Sequence, residues 1–210
     1  MKLQVALDVQ DIDVGMKLIE ETKDYVDIFE LGTGFMGMFG YPLVKTFRDA
    51  FPDITLLADV KIVDGGYGTS KRVFEYGANF STVVGYADVP TLAGAVEAVK
   101  EAGPGHYVMA DLMHVPDFSV HAQKLNDVGV DYVNIHVATD SGSDDAAFES
   151  VVSRVKDIDF QPKLSVAGGI TIERLPIIEK YNFDLIIVGG AITRVDDPRA
   201  AAKAFKEAIS

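Results

Sequence analysis

Two stretches decide the fold, Leu56-Leu57-Ala58-Asp59-Val60 and Leu185-Ile186-Ile187-Val188-Gly189. Each is a short, nearly unbroken apolar run that stops on a polar or glycine-bearing edge, without the alternation of a half-solvated strand. Such runs suit strands buried on both faces, with helices covering one side of a parallel sheet and a packed interior on the other. The same signature recurs along the chain, at 3–7, 26–30, 55–59, 80–84, 106–111, 132–136, 163–167 and 185–188, eight runs in all. Helix-patterned segments separate them. In the first, Val14, Leu18 and Ile19 share a face and Asp11 or Asp13 is placed to cap the start. Later helices are expected near 41–50, 68–76, 89–102, 117–128, 145–156, 172–181 and 198–209. Dividing 210 residues by eight leaves about 26 per unit, close to the minimum for a strand, a helix and two short connections. The reading is an α/β chain forming one (β/α)8 barrel over residues 1–210. An open doubly wound sheet shares the alternation, but eight units and no early G-x-G-x-x-G favour closure.

Composition narrows the function. Nineteen Lys and Arg against 32 Asp and Glu give a formal charge of −13, and the basic residues are scattered singly, so nucleic acid is not an expected partner. No apolar run approaches a membrane span and no signal-peptide layout opens the chain, so neither membrane insertion nor export is expected. With no Cys, disulfides, thiolate catalysis and Cys-ligated zinc drop out. A cytoplasmic protein is the simplest reading.

Barrels of this class carry their chemistry at the C-terminal ends of the strands. Here those ends are Asp8, Glu30, Asp59 followed by Lys61 and Asp64, Asp111 and His136, while strands seven and eight end in Gly168-Gly169 and Gly189-Gly190. Acids around an apolar mouth are costly unless they pair or bind a cation. Glu30 and Asp59, on adjacent strands, can share a hard divalent ion such as Mg2+, with Mn2+ as a substitute; the competing arrangement is an ion-pair cluster with Lys61 that only closes the barrel. Strand alternation sends Asp59 and Lys61 to one side, and Asp64 has left the strand and can reach around the rim or into a neighbouring subunit. A lysine between carboxylates stays protonated and suits oxyanion stabilisation rather than base catalysis. The two Gly-Gly turns, each followed by a helix start, suit a phosphate group.

His136 faces the mouth, where an imidazole can shuttle protons, whereas His106 and His121 read as packing or surface residues. His114, just past Asp111, is open to either role. The segment 32–40, with four glycines among Phe and Met, reads as a mobile loop serving as a lid or as an interface patch.

Ala6-Leu7-Asp8, Phe29-Glu30-Leu31-Gly32-Thr33, the D-x-K-x-x-D of Asp59, Lys61 and Asp64, Ala167-Gly168-Gly169-Ile170 and Val188-Gly189-Gly190-Ala191-Ile192-Thr193 together resemble the orotidine 5′-monophosphate decarboxylase superfamily. Within it the chain is most similar to the 3-hexulose-6-phosphate synthase and 3-keto-L-gulonate-6-phosphate decarboxylase families. The resemblance runs the length of the chain. It implies a Mg2+-assisted lyase acting through a 1,2-enediolate of a pentulose 5-phosphate. It also implies metal ligation by Glu30 and Asp59, substrate contact by Asp8 and Lys61, and proton transfer by His136 beside the acidic Asp111. The phosphate would lie on Gly168, Gly169, Gly189 and Gly190, and Asp64 would be given to the partner's site in a homodimer.

Departures favour the synthase branch. The decarboxylase pattern has arginines where this chain has Thr139 and Gly190, and Asp111 replaces its glutamate. The synthase pattern is itself altered, to His136-Val137-Ala138-Thr139-Asp140 and Gly65-Gly66-Tyr67-Gly68. A pentulose-phosphate 3-epimerase would need metal-binding histidines that strands two and three lack. A non-catalytic sugar-phosphate sensor would not need the acid and lysine set.

Overall fold

The computed structural model describes residues 1–137 and 144–210, and eight parallel strands close in sequence order into a barrel. The strands are β1 (Lys2–Leu7), β2 (Ile28–Leu31), β3 (Leu56–Ile62), β4 (Phe80–Val84), β5 (Tyr107–Asp111), β6 (Tyr132–His136), β7 (Lys163–Ala167) and β8 (Leu185–Val188). The connecting helices are α1 (Ile12–Thr22), α2 (Thr33–Phe39), α3 (Pro42–Ala50), α4 (Gly66–Glu75), α5 (Val89–Ala102), α6 (Ser119–Val128), α7 (Asp145–Val152), α8 (Leu175–Ile178), α9 (Gly190–Thr193) and α10 (Pro198–Ala208). Thr139 and Asp140 lie outside the described residues.

Because successive strand residues point to opposite faces, each unbroken apolar run feeds two cores. Leu3, Val5 and Leu7 of β1, like Phe29 and Leu31 of β2, pack outward against helices. Ala6, Ile28, Leu57, Phe80, Met109 and Leu185 fill the barrel, which Tyr107 and Tyr132 close at its base against Phe80.

Several local expectations are corrected. Asp11 does cap α1, accepting from the backbone N–H groups of Asp13 and Val14, but Val14 is exposed. Gly15 is buried instead, because a Cβ there would meet the Phe47 ring at 2.9 Å and only glycine lets the helix sit so close. Segment 32–40 is not a mobile loop. It forms α2, whose Phe35 and Met36 are buried, Phe35 standing edge-on to Phe47 at 5.7 Å, so of its large apolar side chains Met38 is the one left exposed. Burying those two side chains outweighs the helix-weakening glycines. The stretch 172–181 is broken into short turns around α8, with Pro176 at its start.

Candidate active site

The third strand does not end at Asp59. It runs to Ile62 through an irregularity in its pairing with β4, and Lys61 takes a positive φ of 41° there. Simple alternation is therefore not what brings Asp59 and Lys61 together; a bulge does, and bulges commonly re-aim side chains beside functional sites. Thr82 of β4 secures it. Its hydroxyl accepts from the Lys61 N–H (2.9 Å) and donates to Asp59 Oδ1 (2.7 Å). Lys61 Nζ then lies 3.1 Å from Asp59 Oδ2 and 2.8 Å from Asp111 Oδ2. Burial would lower its pKa, but the two carboxylates outweigh that and raise it, so the ammonium persists.

Asp111 Oδ2 also lies 2.9 Å from His136 Nδ1, while Oδ1 accepts from the Met113 N–H. Burial pushes this carboxyl up, yet its bond to His136 and the Lys61 charge hold it well below the usual carboxylate range. An ionised carboxylate only accepts, so Nδ1 must carry the proton, leaving Nε2 as the nitrogen able to exchange one.

Asp8, Glu30, Asp59, Lys61, Asp111 and His136 line one cavity of about 530 Å³ together with Gly168, Gly169, Gly189 and Gly190. Asp64 is not among them. It is exposed and lines an adjacent cleft of about 410 Å³ that shares Lys61 with the cavity, and its Oδ1 accepts from the Gly65 N–H. His114 is exposed and outside the cavity, and His106, just before β5, packs on Phe74.

Among the described residues Glu30 makes no ion pair, although the Lys61 charge acts to lower its pKa. Desolvation, and then repulsion from Asp59, push its pKa up to about 8, and Gln4 Nε2 donates to it at 2.7 Å. Asp8 is likewise raised, by burial first and Asp59 second. Among the described residues no three metal-ligating side chains converge. The donor set nevertheless fits a hard divalent ion, because two neighbouring carboxylates, one lacking a counter-charge, leave positions for water and substrate oxygens. The glycines divide in two. Gly168 (φ 99°) is required structurally, since a Cβ would lie 1.7 Å from Val137 O, whereas Gly189 and Gly190 have room toward the cavity.

A profile of the Orotidine 5'-phosphate decarboxylase / HUMPS family matches residues 1–205. The chain belongs to this family. A 3-hexulose-6-phosphate synthase of Bacillus subtilis (strain 168) is 34% identical over 209 residues, covering 100% of this chain and 99% of the relative. The crystal structure of 3-hexulose-6-phosphate synthase from Salmonella typhimurium superposes with a TM-score of 0.91 at 32% identity, over 100% and 98% of the two chains. The crystal structure of KGPDC from Streptococcus mutans superposes with a TM-score of 0.85 at 27% identity, over 99% and 96%.

In this HUMPS-family barrel, sequence reasoning missed Gln4, Thr33, Thr82 and Arg194. Thr33, at the start of α2, donates to Asp59 Oδ2, and the other three also line the cavity. Gln4 carried a readable signal, being a polar residue inside an apolar run; the other three depend on contacts between distant elements.

Proposed function

We propose that the chain is a Mg2+-dependent aldehyde-lyase that joins ribulose 5-phosphate to formaldehyde, giving 3-hexulose 6-phosphate. The observation that carries this reading is the single oxygen, Asp111 Oδ2, that holds both Lys61 Nζ and His136 Nδ1. It puts a fixed ammonium and an oriented imidazole in the same cavity as the glycine turns. His136 Nε2 takes a proton from C1 of the ketose, leaving a 1,2-enediolate whose O2 charge is met by Lys61. C1 then bonds to the formaldehyde carbon, and the new alkoxide takes up the proton. Asp8 contacts the substrate hydroxyls, and the turns at Gly168-Gly169 and Gly189-Gly190 take the phosphate.

Glu30 and Asp59 would hold Mg2+ or Mn2+, which supplies Lewis-acid stabilisation of the enediolate oxygens. The active form is a homodimer in which each Asp64 reaches its partner's site. Asp64 lies outside its own cavity, exposed beside Val63 in the adjoining cleft, and that placement supports the assignment. Full-length similarity to synthases supports the chemistry. Among the described residues no helix is long and apolar enough to cross a membrane.

The deciding assay incubates the protein and Mg2+ with ribulose 5-phosphate, with and without formaldehyde. CO2 release from 3-keto-L-gulonate 6-phosphate is followed in parallel. Formaldehyde-dependent loss of the pentulose is expected; CO2 release alone assigns the decarboxylase, and binding without turnover assigns a sensor.

A further inference from the structure

Both glycine turns are followed by an arginine, and the two are used differently. Arg174, five residues beyond Gly169, is committed to the fold: Nη1 donates to Gly169 O (2.8 Å), Nε to Asp145 Oδ1 (2.9 Å), and the guanidinium stacks on Phe148 at 4.9 Å. Arg194 ends α9, its N–H bonded to Gly190 O at 3.0 Å, and its side chain lines the main cavity beside Gly189 and Gly190. Among the described residues its guanidinium makes no hydrogen bond or ion pair, and its charge acts on Asp8, which lies beside Gly189. A Cβ on Gly190 would make only ordinary contact with Arg194 Cδ, at 3.4 Å, so the arginine stem lies against the turn.

The cavity needs such a cation. Asp8, Glu30, Asp59 and Asp111 all line it, and Lys61 and His136 are already engaged with Asp111. A phosphate dianion entering that field is repelled by the acids and, among the described residues, meets no other uncommitted side-chain cation at the glycine turns. Guanidinium, with its planar fork of donors and weak hydration, is the side chain best matched to two phosphate oxygens.

We infer that Arg194 is a substrate-binding residue that grips the phosphate of the sugar phosphate and makes the site select phosphorylated ketoses. The inference rests on the reading of the cavity as a sugar-phosphate site and adds the group that supplies its missing positive charge.

Calorimetric titration of wild type, Arg194→Ala and Arg194→Lys with two probes, ribulose 5-phosphate and inorganic phosphate, tests it, together with steady-state kinetics. Arg194→Ala should weaken both probes by roughly 10- to 100-fold, Arg194→Lys should recover part of the loss, and kcat should stay within about threefold. The side chain is exposed, so melting temperatures should not move. Affinity for either probe within about twofold of wild type overturns the inference, as does a fall in kcat with KM unchanged. The inorganic phosphate arm stands even if ribulose 5-phosphate is not turned over, so failure of the proposed reaction and failure of Arg194 are read separately.

Discussion

The two ends of the barrel use acids in opposite ways. At the N-terminal end, three aspartates and one asparagine, Asp27, Asn79, Asp131 and Asp184, each stand immediately before an even-numbered strand and accept from the first N–H groups of the strand before it, at Leu3, Leu56, Val108 and Leu164 (2.8–3.0 Å). Each also returns its own N–H to that residue's carbonyl, so four reciprocal clasps fasten the strand pairs. At the C-terminal end, Asp8, Glu30, Asp59 and Asp111 mostly face side chains and one another, and the electrostatic cost shows in the raised Glu30 and Asp8. Acids at one end complete the backbone; at the other they keep unspent charge for a bound molecule.

The largest expected effect lies at the top. Glu30→Gln or Asp59→Asn should lower turnover by roughly a thousandfold or more, since developing charge on the substrate loses its counter-ion, while thermal stability holds or rises in Glu30→Gln and falls in Asp59→Asn, which takes a buried partner from Lys61. Steady-state assays beside thermal melts check this, and a loss of activity under tenfold would remove both residues from the chemistry. Asp64 offers the next contrast. Mixing Asp64→Asn with Lys61→Ala under conditions that exchange subunits should raise activity from background to roughly a quarter of wild type. Half the randomly paired dimers are then mixed, and each carries one intact site. No recovery despite proven exchange, or a fully active monomer, rules out sharing.

How much of this contrast the sequence revealed depends on how local its cause is. The strand ends were legible because Asp8, Glu30, Asp111 and His136 each close an apolar run, and a run's end can be read without knowing its neighbours. The clasps were not read, although Val26-Asp27-Ile28, Ala78-Asn79-Phe80, Val130-Asp131-Tyr132 and Phe183-Asp184-Leu185 repeat one pattern, because their meaning lies in the partner strand. The bulge at Lys61 depends on Thr82, and the helix at 33–39 on the Phe35–Phe47 contact, both set by tertiary packing. Arg194 escaped notice because an exposed arginine after a turn is ordinary until the cavity beneath it is seen.

Glu30 also makes the contrast visible in pH. Its folded pKa of about 8 lies above the ordinary 4.5, so between those values the folded chain holds a proton the unfolded chain has released. Metal-free stability should therefore be greatest at the low end of that window and fall as pH rises through it. Asp111 is shifted the other way and loses its contribution only in stronger acid; Asp8 and Asp131, also raised by burial, add to the decline and the lowered His121 opposes it, so the difference between the parent and Glu30→Gln isolates the share of Glu30. Melting temperatures of chelated protein should decline across this range, and Mg2+ should restore them at pH 8. Glu30→Gln should flatten the profile. A flat profile in the parent protein would mean that Glu30 ionises freely where it sits.

The smallest effect belongs to the base, and it separates the two ends most cleanly. Asp131 Oδ2 accepts from the Val108 N–H at 2.8 Å in a partly buried setting, and Asp131 N–H donates to Val108 O at 3.2 Å. Truncation in Asp131→Ala leaves the Val108 donor without its partner at the start of β5 while the backbone half of the clasp survives. Leaving such a donor unsatisfied costs about 1–3 kcal/mol. Asp131→Asn keeps an acceptor of the same reach and should recover most of that loss. Denaturant midpoints measure both variants, and turnover at a temperature where each is fully folded should match the parent, because Asp131 does not line the cavity. An Asp131→Ala protein of unchanged stability but much reduced turnover would show that the base of the barrel takes part in the chemistry, and the division between the two ends would not hold.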